Sequence, residues 1–189
     1  MIRGRYGTGV MISRLARVFG AVDKTQFRST AAHYEASQFN FTAVNMRFNK
    51  VKGFFKEVVI DADFNIHELE TSHLNLRWPV KGIRTGIAER DQQLISAPHF
   101  FNGEDYPDII FKSREIRMEG KNQLVFSGDL FIKEHRRSIA LYAGYQYDKS
   151  GYQLFIDYDL DRFDFGIGES GSFAIGRQIE LEFDIYLNI

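Results

Sequence analysis

The sequence of 189 residues contains no cysteine, three prolines and one tryptophan. Without cysteine, the chain cannot form a disulfide, a thiolate nucleophile or a cysteine-ligated metal site. No apolar run approaches the ~20 residues that a membrane-spanning helix needs, so we expect no membrane span. The net charge of −1 gives no overall attraction to nucleic acid, and we expect no nucleic acid partner.

Aromatic residues are abundant, with 18 phenylalanines and 9 tyrosines. Apolar residues make up 44% of the chain, which is enough for a solid core. Aromatic side chains suit β-strands and also line apolar pockets. The composition therefore favours one β-rich domain with either a densely filled interior or a ligand pocket.

The first 36 residues differ from the rest of the chain. We interpret residues 1–36 as an N-terminal lead-in, with a short amphipathic helix near residues 10–19, and residues 37–189 as one barrel domain. Arg14 and Arg17 interrupt the only apolar stretch that could form the centre of a signal peptide. A cytoplasmic location is the expectation from this pattern.

Period-2 alternation of apolar and polar residues dominates from residue 37 onward. In one example, Leu74, Leu76 and Trp78 alternate with Asn75 and Arg77. Such alternation is typical of a strand with one buried and one solvated face. It occurs about eight times, and the short connections between the segments favour antiparallel neighbours. Closure into a barrel would remove the exposed edges, so we predict an all-β fold with a single eight-stranded antiparallel barrel.

One segment breaks the alternation. Residues 84–97 place apolar side chains at helical spacing among charged residues, which predicts a short helical insertion, and Pro98 ends it. Phe100 and Phe101 follow directly. We expect this insertion to lie across an end or flank of the barrel.

Several motifs that suggest enzymes or metal sites lack the context that their chemistry needs. The sequence GIGESG at 166–171 matches a dinucleotide fingerprint, but another strand follows it instead of a helix. His67 and His73 are six residues apart, which is not the spacing of a zinc-protease helix. The carboxylates of residues 157–164 fall at alternate strand positions, which is typical of a solvated face. We predict no catalytic residue and no metal site.

Two arginine–aspartate pairs, Arg90–Asp91 and Arg162–Asp164, admit two interpretations. An arginine near a barrel opening could hold a polar head group of a ligand. Alternatively, each arginine pairs with its aspartate and fastens the helical insertion to the barrel. We favour the structural role.

Four stretches of the sequence resemble the YceI-like family: VKGFF (51–55), ERDQQLISAPHFFNGEDYPDIIFKS (89–113), FSGDLFIKEHRRSIAL (126–141) and LDRFDFGIG (160–168). The resemblance implies a lipocalin-like barrel that is associated with polyisoprenoid binding. Because members of the family are often exported, it also implies a periplasmic location as the alternative to the cytoplasm.

The expected function is non-enzymatic binding, transport or storage of an elongated apolar lipid, a polyisoprenoid or an isoprenoid quinone. No cofactor is expected apart from such a bound lipid, and a homodimer is compatible with the sequence. Two alternatives stay open: an isomerase or cyclase that uses the barrel as a reaction chamber, with Tyr158 and Ser113 as its inward polar groups, and a barrel filled by its own side chains that acts through its surface. The predicted ligand-contacting residues are Phe39, Phe41, Trp78, Leu94, Phe100, Phe101, Ile109, Phe111, Phe126, Leu130, Leu141, Leu154, Ile156, Tyr158 and Phe183.

Overall fold

Ten β-strands form one antiparallel sheet in the computed structural model of the chain, which describes residues 37–45, 49–168 and 175–188. One α-helix, α1, interrupts the series at Ala88–Ser96. Short 3-10 turns occur at Val80–Gly82 and Arg162–Phe165. The strands are β1 (Gln38–Asn45), β2 (Lys50–Phe55), β3 (Val59–Asp63), β4 (His73–Pro79), β5 (Ile83–Arg84), β6 (Asp108–Glu119), β7 (Gln123–Ile132), β8 (His135–Asp148), β9 (Gly151–Asp161) and β10 (Ile175–Asn188).

The sheet has the order β3-β4-β6-β7-β8-β9-β10-β1-β2-β5 and curls around the core as a half-barrel. Strands that follow one another from β6 to β10 are direct neighbours, which is a meander, and β1 then pairs with β10. The pairing register shifts between Ser113 and Glu115 where β6 pairs with β7, and between Ala43 and Asn45 where β1 pairs with β10. Such bulges bend a strand and increase its twist, which helps the sheet to curl. The edge strands β3 and β5 are short, which limits the unpaired backbone that an edge exposes.

The concave face of the sheet holds the core. In β7, for example, Leu124, Phe126, Leu130 and Ile132 are all buried. Their partners in the ladder continue the apolar face onto β8, where Phe126 lies opposite Leu141. The alternation in the sequence therefore corresponds to one apolar surface that the curled sheet encloses.

Helix α1 and the turns that follow it lie at one end of the half-barrel. The helix carries Glu89 and Asp91 in its first turn, where a negative charge complements the helix dipole. It ends at Ser96, two residues before Pro98. The chain then folds back onto the helix, since Phe101 N donates to the carbonyl oxygen of Leu94 at 3.1 Å.

The all-β antiparallel prediction and the helical insertion are confirmed, whereas the number of strands is ten instead of eight. The eight predicted strands are present, and β2 and β5 are additional. The predicted lead-in at residues 1–36 lies outside the described residues. Within the described part of the chain, no helix is both long and apolar enough to cross a membrane.

Candidate functional site

A cavity of about 330 Å³ lies inside the half-barrel next to α1. Its wall is almost entirely apolar and is shared by the sheet, the helix and the turns around it. The exposed Gln93 also borders it, so the cavity reaches solvent beside the helix. The lining residues are Phe41, Ala43, Val51, Phe55, Trp78, Ile83, Thr85, Arg90, Gln93, Leu94, Phe100, Phe101, Ile109, Phe111, Leu130, Ile132, Ile139, Leu141, Tyr158, Leu160, Arg162, Ile167, Ile175, Ile179, Leu181 and Phe183.

The interior of the half-barrel is divided into a hollow end and a solid end. On β7, Leu130 lines the cavity while Phe126 is fully buried in packed core. On the antiparallel neighbour β8, the order is reversed, and Leu141 lines the cavity while Ala143 lies in the core. The same change occurs along the other long strands. We call the cavity side, which holds α1 and the turn at Arg162–Phe165, the hollow end, and the opposite side the solid end.

Most of the predicted ligand-contacting residues meet in this cavity, although their contact with a ligand stays a prediction. Four of them, Phe39, Phe126, Leu154 and Ile156, are instead buried in the solid end. Those that line the cavity are Phe41, Trp78, Leu94, Phe100, Phe101, Ile109, Phe111, Leu130, Leu141, Tyr158 and Phe183.

Several residues of the cavity wall were not predicted from the sequence. Ile132, Ile139, Ile179 and Leu181 lie on the inward faces of predicted strands, so the alternation could have identified them. Val51, Phe55, Ile83, Thr85 and Gln93 come from β2, β5 and the helical insertion, where no alternation indicates an inward face. Ala43, Leu160, Ile167 and Ile175 complete this set.

An aromatic cluster forms the boundary between the hollow end and the solid end. Trp78 lies 5.4 Å from Phe183, 6.0 Å from Phe39 and 6.4 Å from Phe55, measured between ring centroids. Trp78 is 3% exposed, and its indole Nε1 is the one buried side-chain nitrogen or oxygen in the described residues without a hydrogen-bond partner. A buried indole N–H without an acceptor has a free-energy cost. The cluster therefore retains an unused hydrogen-bond donor beside the cavity.

Thr85 joins the helix to the end of β5. Its backbone N–H donates to Asp91 Oδ1 at 2.8 Å, and its hydroxyl donates a short hydrogen bond to the same oxygen. Arg90 Nε donates to Thr85 Oγ1 at 2.7 Å, and Arg90 Nη2 donates to the Thr85 carbonyl oxygen at 2.8 Å. Arg90 and Asp91 thus bind the same residue and form no ion pair with each other. The expectation of a direct Arg90–Asp91 pair was wrong, because Thr85 is within reach of both side chains.

Arg162 is buried at the hollow end and donates to three backbone carbonyls. Its Nε reaches Gly176 at 2.9 Å, Nη1 reaches Ile167 at 2.6 Å and Nη2 reaches Ile175 at 3.0 Å. A Cβ at Gly168, where φ is +75°, would lie 2.5 Å from Nη1, so only glycine leaves room for this arrangement. Arg162 thereby holds the start of β10 against the turn at Arg162–Phe165.

The predicted Arg162–Asp164 pair is not formed either. Asp164 is exposed, whereas Arg162 is directed toward the carbonyls inside the turn. Burial lowers the pKa of Arg162 from its usual value, and the charge of Asp161 opposes this shift. Burial raises the pKa of Tyr158, with a further contribution from the charge of Asp164, so the phenol that lines the cavity stays protonated near neutral pH.

The comparison with known proteins places the chain in a family. A model of the YceI-like domain matches residues 31–187. This chain belongs to the YceI-like family. A UPF0312 protein of Photorhabdus laumondii is 30% identical over 105 residues, which cover 54% of this chain and 53% of that protein. A UPF0312 protein of Vibrio cholerae is 25% identical over 129 residues, or 65% of this chain and 68% of that protein. The chain thus spans about half to two thirds of these curated relatives.

Solved structures share the YceI-like fold. BcnA of Burkholderia cenocepacia superposes with a TM-score of 0.76 at 15% identity, over 82% of this chain and 98% of that one. A YceI protein of Campylobacter jejuni superposes with a TM-score of 0.65 at 23% identity, over 75% of this chain and 86% of that one. A polyisoprenoid binding domain from Saccharophagus degradans superposes with a TM-score of 0.63 at 12% identity, over 81% of this chain and 94% of that one. At these identities the likeness establishes the lipocalin-like fold alone.

Proposed function

We propose that this protein binds an elongated apolar lipid, a polyisoprenoid or an isoprenoid quinone, in the cavity at the hollow end, and that it carries or stores this lipid without reacting with it. The observation that supports the proposal most directly is the cavity wall, which combines Phe, Leu and Ile side chains from both the sheet and α1. The structural neighbour from Saccharophagus degradans, a polyisoprenoid binding domain, supports the same ligand class.

Desolvation is the driving force for this binding. Each methylene that leaves water contributes about 0.8 kcal/mol. A chain of several isoprene units can therefore offset the cost of losing translational and rotational freedom, which is of the order of 4–15 kcal/mol. The volume of about 330 Å³ is within the range of ligand pockets, ~300–1,000 Å³.

The polar groups of the wall favour binding over catalysis. Among the described lining residues, the polar side chains are Thr85, Arg90, Gln93, Tyr158 and Arg162. None of these is a carboxylate or a histidine, the groups that most often act as a general base. The raised pKa of Tyr158 makes its phenolate scarce near neutral pH. Replacement of Tyr158 by Phe is therefore expected to leave any bound lipid chemically unchanged.

Mass spectrometry of co-purified lipid tests the proposal. Protein prepared without detergent is extracted with organic solvent, and we expect a lipid in near-stoichiometric amount. Leu181→Trp, which places a larger side chain in the cavity wall, is the matched control and is expected to yield much less lipid. If the wild-type protein contains no extractable lipid and takes up no added isoprenoid, the proposal is wrong.

A second measurement separates carriage from storage. Protein loaded with a labelled isoprenoid is mixed with lipid vesicles, and the label that appears in the vesicles is followed over time. Rapid transfer supports a carrier, whereas retention over hours supports storage.

A further inference from the structure

The outer face of the sheet carries carboxylates at β9 and β10. In this ladder Asp157 lies opposite Glu182, and Asp159 lies opposite Glu180. These pairs project outward, because Leu181, between the two glutamates, lines the cavity. The next strand in the sheet, β1, has the sequence QFNFTAVN and contains no charged residue. The acidic surface therefore ends before β2.

Cations replace the carboxylates beyond β1, on β2 and β5. Lys50 and Lys52 project from the outer face of β2, since Val51 between them lines the cavity. Arg84 of β5 projects to the same face, because its neighbour Ile83 lines the cavity. These three cations and two from the adjoining turns form what we call the basic edge: Lys50, Lys52, Lys56, Lys81 and Arg84.

The basic edge keeps an excess of positive charge. Lys81 pairs with Glu57 at 3.2 Å and Lys50 with Glu180 at 3.7 Å. Both pairs join exposed side chains, and such pairs are weak and readily exchanged for other anions. The other two lysines form no ion pair in the described part of the chain. Arg84 donates from Nη1 to two backbone carbonyls, which leaves its charge unpaired.

Two exposed apolar side chains lie beside the basic edge. Phe54, opposite Arg84 in the pairing of β2 with β5, is 43% exposed, and Ile87, directly before α1, is 50% exposed. Large apolar groups among lysines and arginines are typical of surfaces that bind a membrane interface, where the cations meet lipid phosphates. The helix also presents the exposed Glu89, so the excess of positive charge belongs to the strands and turns.

The basic edge lies next to the opening of the cavity. Ile83 and Thr85, on either side of Arg84, line the cavity, so the edge and the cavity are two sides of one wall. Helix α1, beside which the cavity reaches solvent, contacts β5. Ile87 precedes Arg90, a lining residue, by three positions, which places both on the same face of the helix. A partner that covers the basic edge and Ile87 would therefore lie at the cavity opening.

We propose that the basic edge docks on a bilayer that contains anionic lipid, with Phe54 and Ile87 in the headgroup region and the cavity opening directed toward the membrane. The overall charge of −1 gives no net attraction to such a bilayer, so the attraction depends on the separation of charges over the sheet. The carboxylates of β9 and β10 are repelled by the same bilayer and orient the molecule. The inference deepens the proposed function, on which it rests, because docking would let a lipid pass between bilayer and cavity with little exposure to water.

Sedimentation of the protein with lipid vesicles tests the docking. Vesicles of phosphatidylcholine alone are compared with vesicles of phosphatidylcholine and phosphatidylglycerol. We expect about 10- to 100-fold tighter binding to the anionic vesicles. High salt should remove this preference, because mobile ions screen exposed charges. Equal binding to both kinds of vesicle, or binding to neither, overturns the inference.

Paired charge reversals assign the effect to the basic edge. The Lys52→Glu/Lys56→Glu variant is expected to lose the preference for anionic vesicles. The matched control, Lys121→Glu/Lys149→Glu, makes the same change of charge in exposed turns after β6 and β8, at the solid end, and is expected to keep the preference. Equal losses in the two variants would show that net charge alone matters, which contradicts docking by one surface.

A second pair of variants tests the apolar side chains. Phe54→Ser/Ile87→Ser is expected to bind anionic vesicles about 10-fold more weakly. Tyr142→Ser/Phe155→Ser removes side chains of similar exposure, 46% and 38%, from the outer faces of β8 and β9 and should bind as the wild type does. Unchanged binding of the first variant would refute the insertion of Phe54 and Ile87. If a variant does not fold, the vesicle and salt comparisons of the wild type still decide.

A second copy of the chain is the alternative occupant of this surface. Sedimentation velocity without lipid detects it. If the wild type is a dimer and Lys52→Glu/Lys56→Glu is a monomer, the basic edge is an interface between copies and the inference is overturned.

The variant Leu181→Trp separates docking from the function on which it rests. It changes the cavity wall and leaves the basic edge intact, so it should bind anionic vesicles as the wild type does while carrying less lipid. A wild-type protein that binds these vesicles but takes up no isoprenoid would refute the proposed function and leave the docking. A protein that carries an isoprenoid but does not distinguish the vesicles would refute the docking and leave the function.

Discussion

Asp91 Oδ1 accepts two hydrogen bonds from Thr85, one from its backbone N–H at 2.8 Å and one from its hydroxyl. Asp91 lies in the first turn of α1, and Thr85 directly follows β5. The contact therefore fixes the start of the helix to the edge of the sheet. Since α1 provides Leu94 and Arg90 to the cavity wall, the same contact also sets the shape of the candidate site.

Loss of the Thr85–Asp91 contact is expected to destabilise the fold. Asp91→Ala should reduce the free energy of unfolding by about 1.5–3 kcal/mol, the range for hydrogen bonds to charged groups, and Thr85→Val by about 1 kcal/mol. The double variant should lose less than the sum, because both single changes remove the same hydrogen bond. Urea denaturation measures all three values, with exposed Glu89→Ala on the same helix as the control. Additive losses would show that the Thr85 hydroxyl and the Asp91 carboxylate are not energetically coupled.

The solid and hollow ends are expected to respond differently to truncation. Leu154→Ala, at the solid end, should cost about 2–5 kcal/mol and leave lipid affinity unchanged. Leu181→Ala should cost less stability and alter the affinity, because that side chain already borders the cavity. Urea denaturation and isoprenoid titration of both variants check this. If Leu154→Ala and Leu181→Ala lost the same stability and bound the isoprenoid with the same affinity, the division of the interior into a hollow end and a solid end would be contradicted.

The single tryptophan is expected to report on the cavity. Trp78 lines the wall and is almost fully buried, so an isoprenoid that enters the cavity should change its fluorescence emission, and a quinone should quench it. The Trp78→Phe variant, excited at a wavelength that only tryptophan absorbs, is the control, since it should show almost no emission with or without ligand. Unchanged emission at a ligand concentration that calorimetry shows to be saturating would place the binding site elsewhere.

Asp129 is expected to make stability depend on pH. Burial acts to raise the pKa of Asp129, but hydrogen bonds from Arg136 and Ser138 and the charges of Arg114 and Arg136 outweigh it and hold the pKa below the ordinary value of 3.8. The folded state therefore binds fewer protons than the unfolded state, and this carboxylate stabilises the fold above pH ~4 and progressively less as the pH falls below it.

The Asp129→Asn variant tests this dependence. We expect it to be less stable than the wild type at pH 7 by about 1.5–3 kcal/mol, because it loses the charge-assisted bonds. The difference should shrink as the pH is lowered through and below 4. Thermal unfolding of both proteins between pH 3 and 7 gives the comparison, and a gap that is constant over this range would exclude the role of the charge.

Two glycines in strands are expected to differ in their tolerance of alanine. A Cβ at Gly53 would lie 2.2 Å from Phe41 Cζ and 2.6 Å from the Arg84 carbonyl oxygen. Gly53→Ala should therefore displace Phe41 in the cavity wall, with a loss of about 1–3 kcal/mol and weaker lipid binding. A Cβ at Gly144 meets nothing within 4 Å, so Gly144→Ala should be neutral or slightly stabilising. The same response from both variants would contradict the packing around Phe41.

The sequence predicted the long strands because each alternates clearly, and it missed β2 and β5 for local reasons. In β2, the inward residues Val51 and Phe55 are separated by Gly53, and the outward Phe54 is apolar and 43% exposed, which obscures the alternation. The strand β5 has two residues, too few for any period. Both strands contribute to the cavity wall.

The position of the cavity could not be predicted, because both ends of the half-barrel have the same apolar period. Phe126 and Leu130 are equivalent in the pattern of β7, yet only Leu130 lines the cavity. The difference arises from three-dimensional packing, since at the hollow end α1 and the turns after it form part of the cavity wall, which the alternation along a strand does not record. Likewise, the role of Thr85 depends on a contact that neither its type nor its spacing indicates.

The packed solid end closes the cavity on the side opposite α1. In the described part of the chain the cavity reaches solvent beside α1, where Gln93 borders it, so a lipid that uses this opening both to enter and to leave could not be loaded while another is being released. Because the volume is near the lower limit for ligand pockets, ~300 Å³, a long chain would leave part of its length protruding into solvent. A receiving membrane or protein would contact that protruding segment first, and the length of the segment would determine how readily the lipid is transferred.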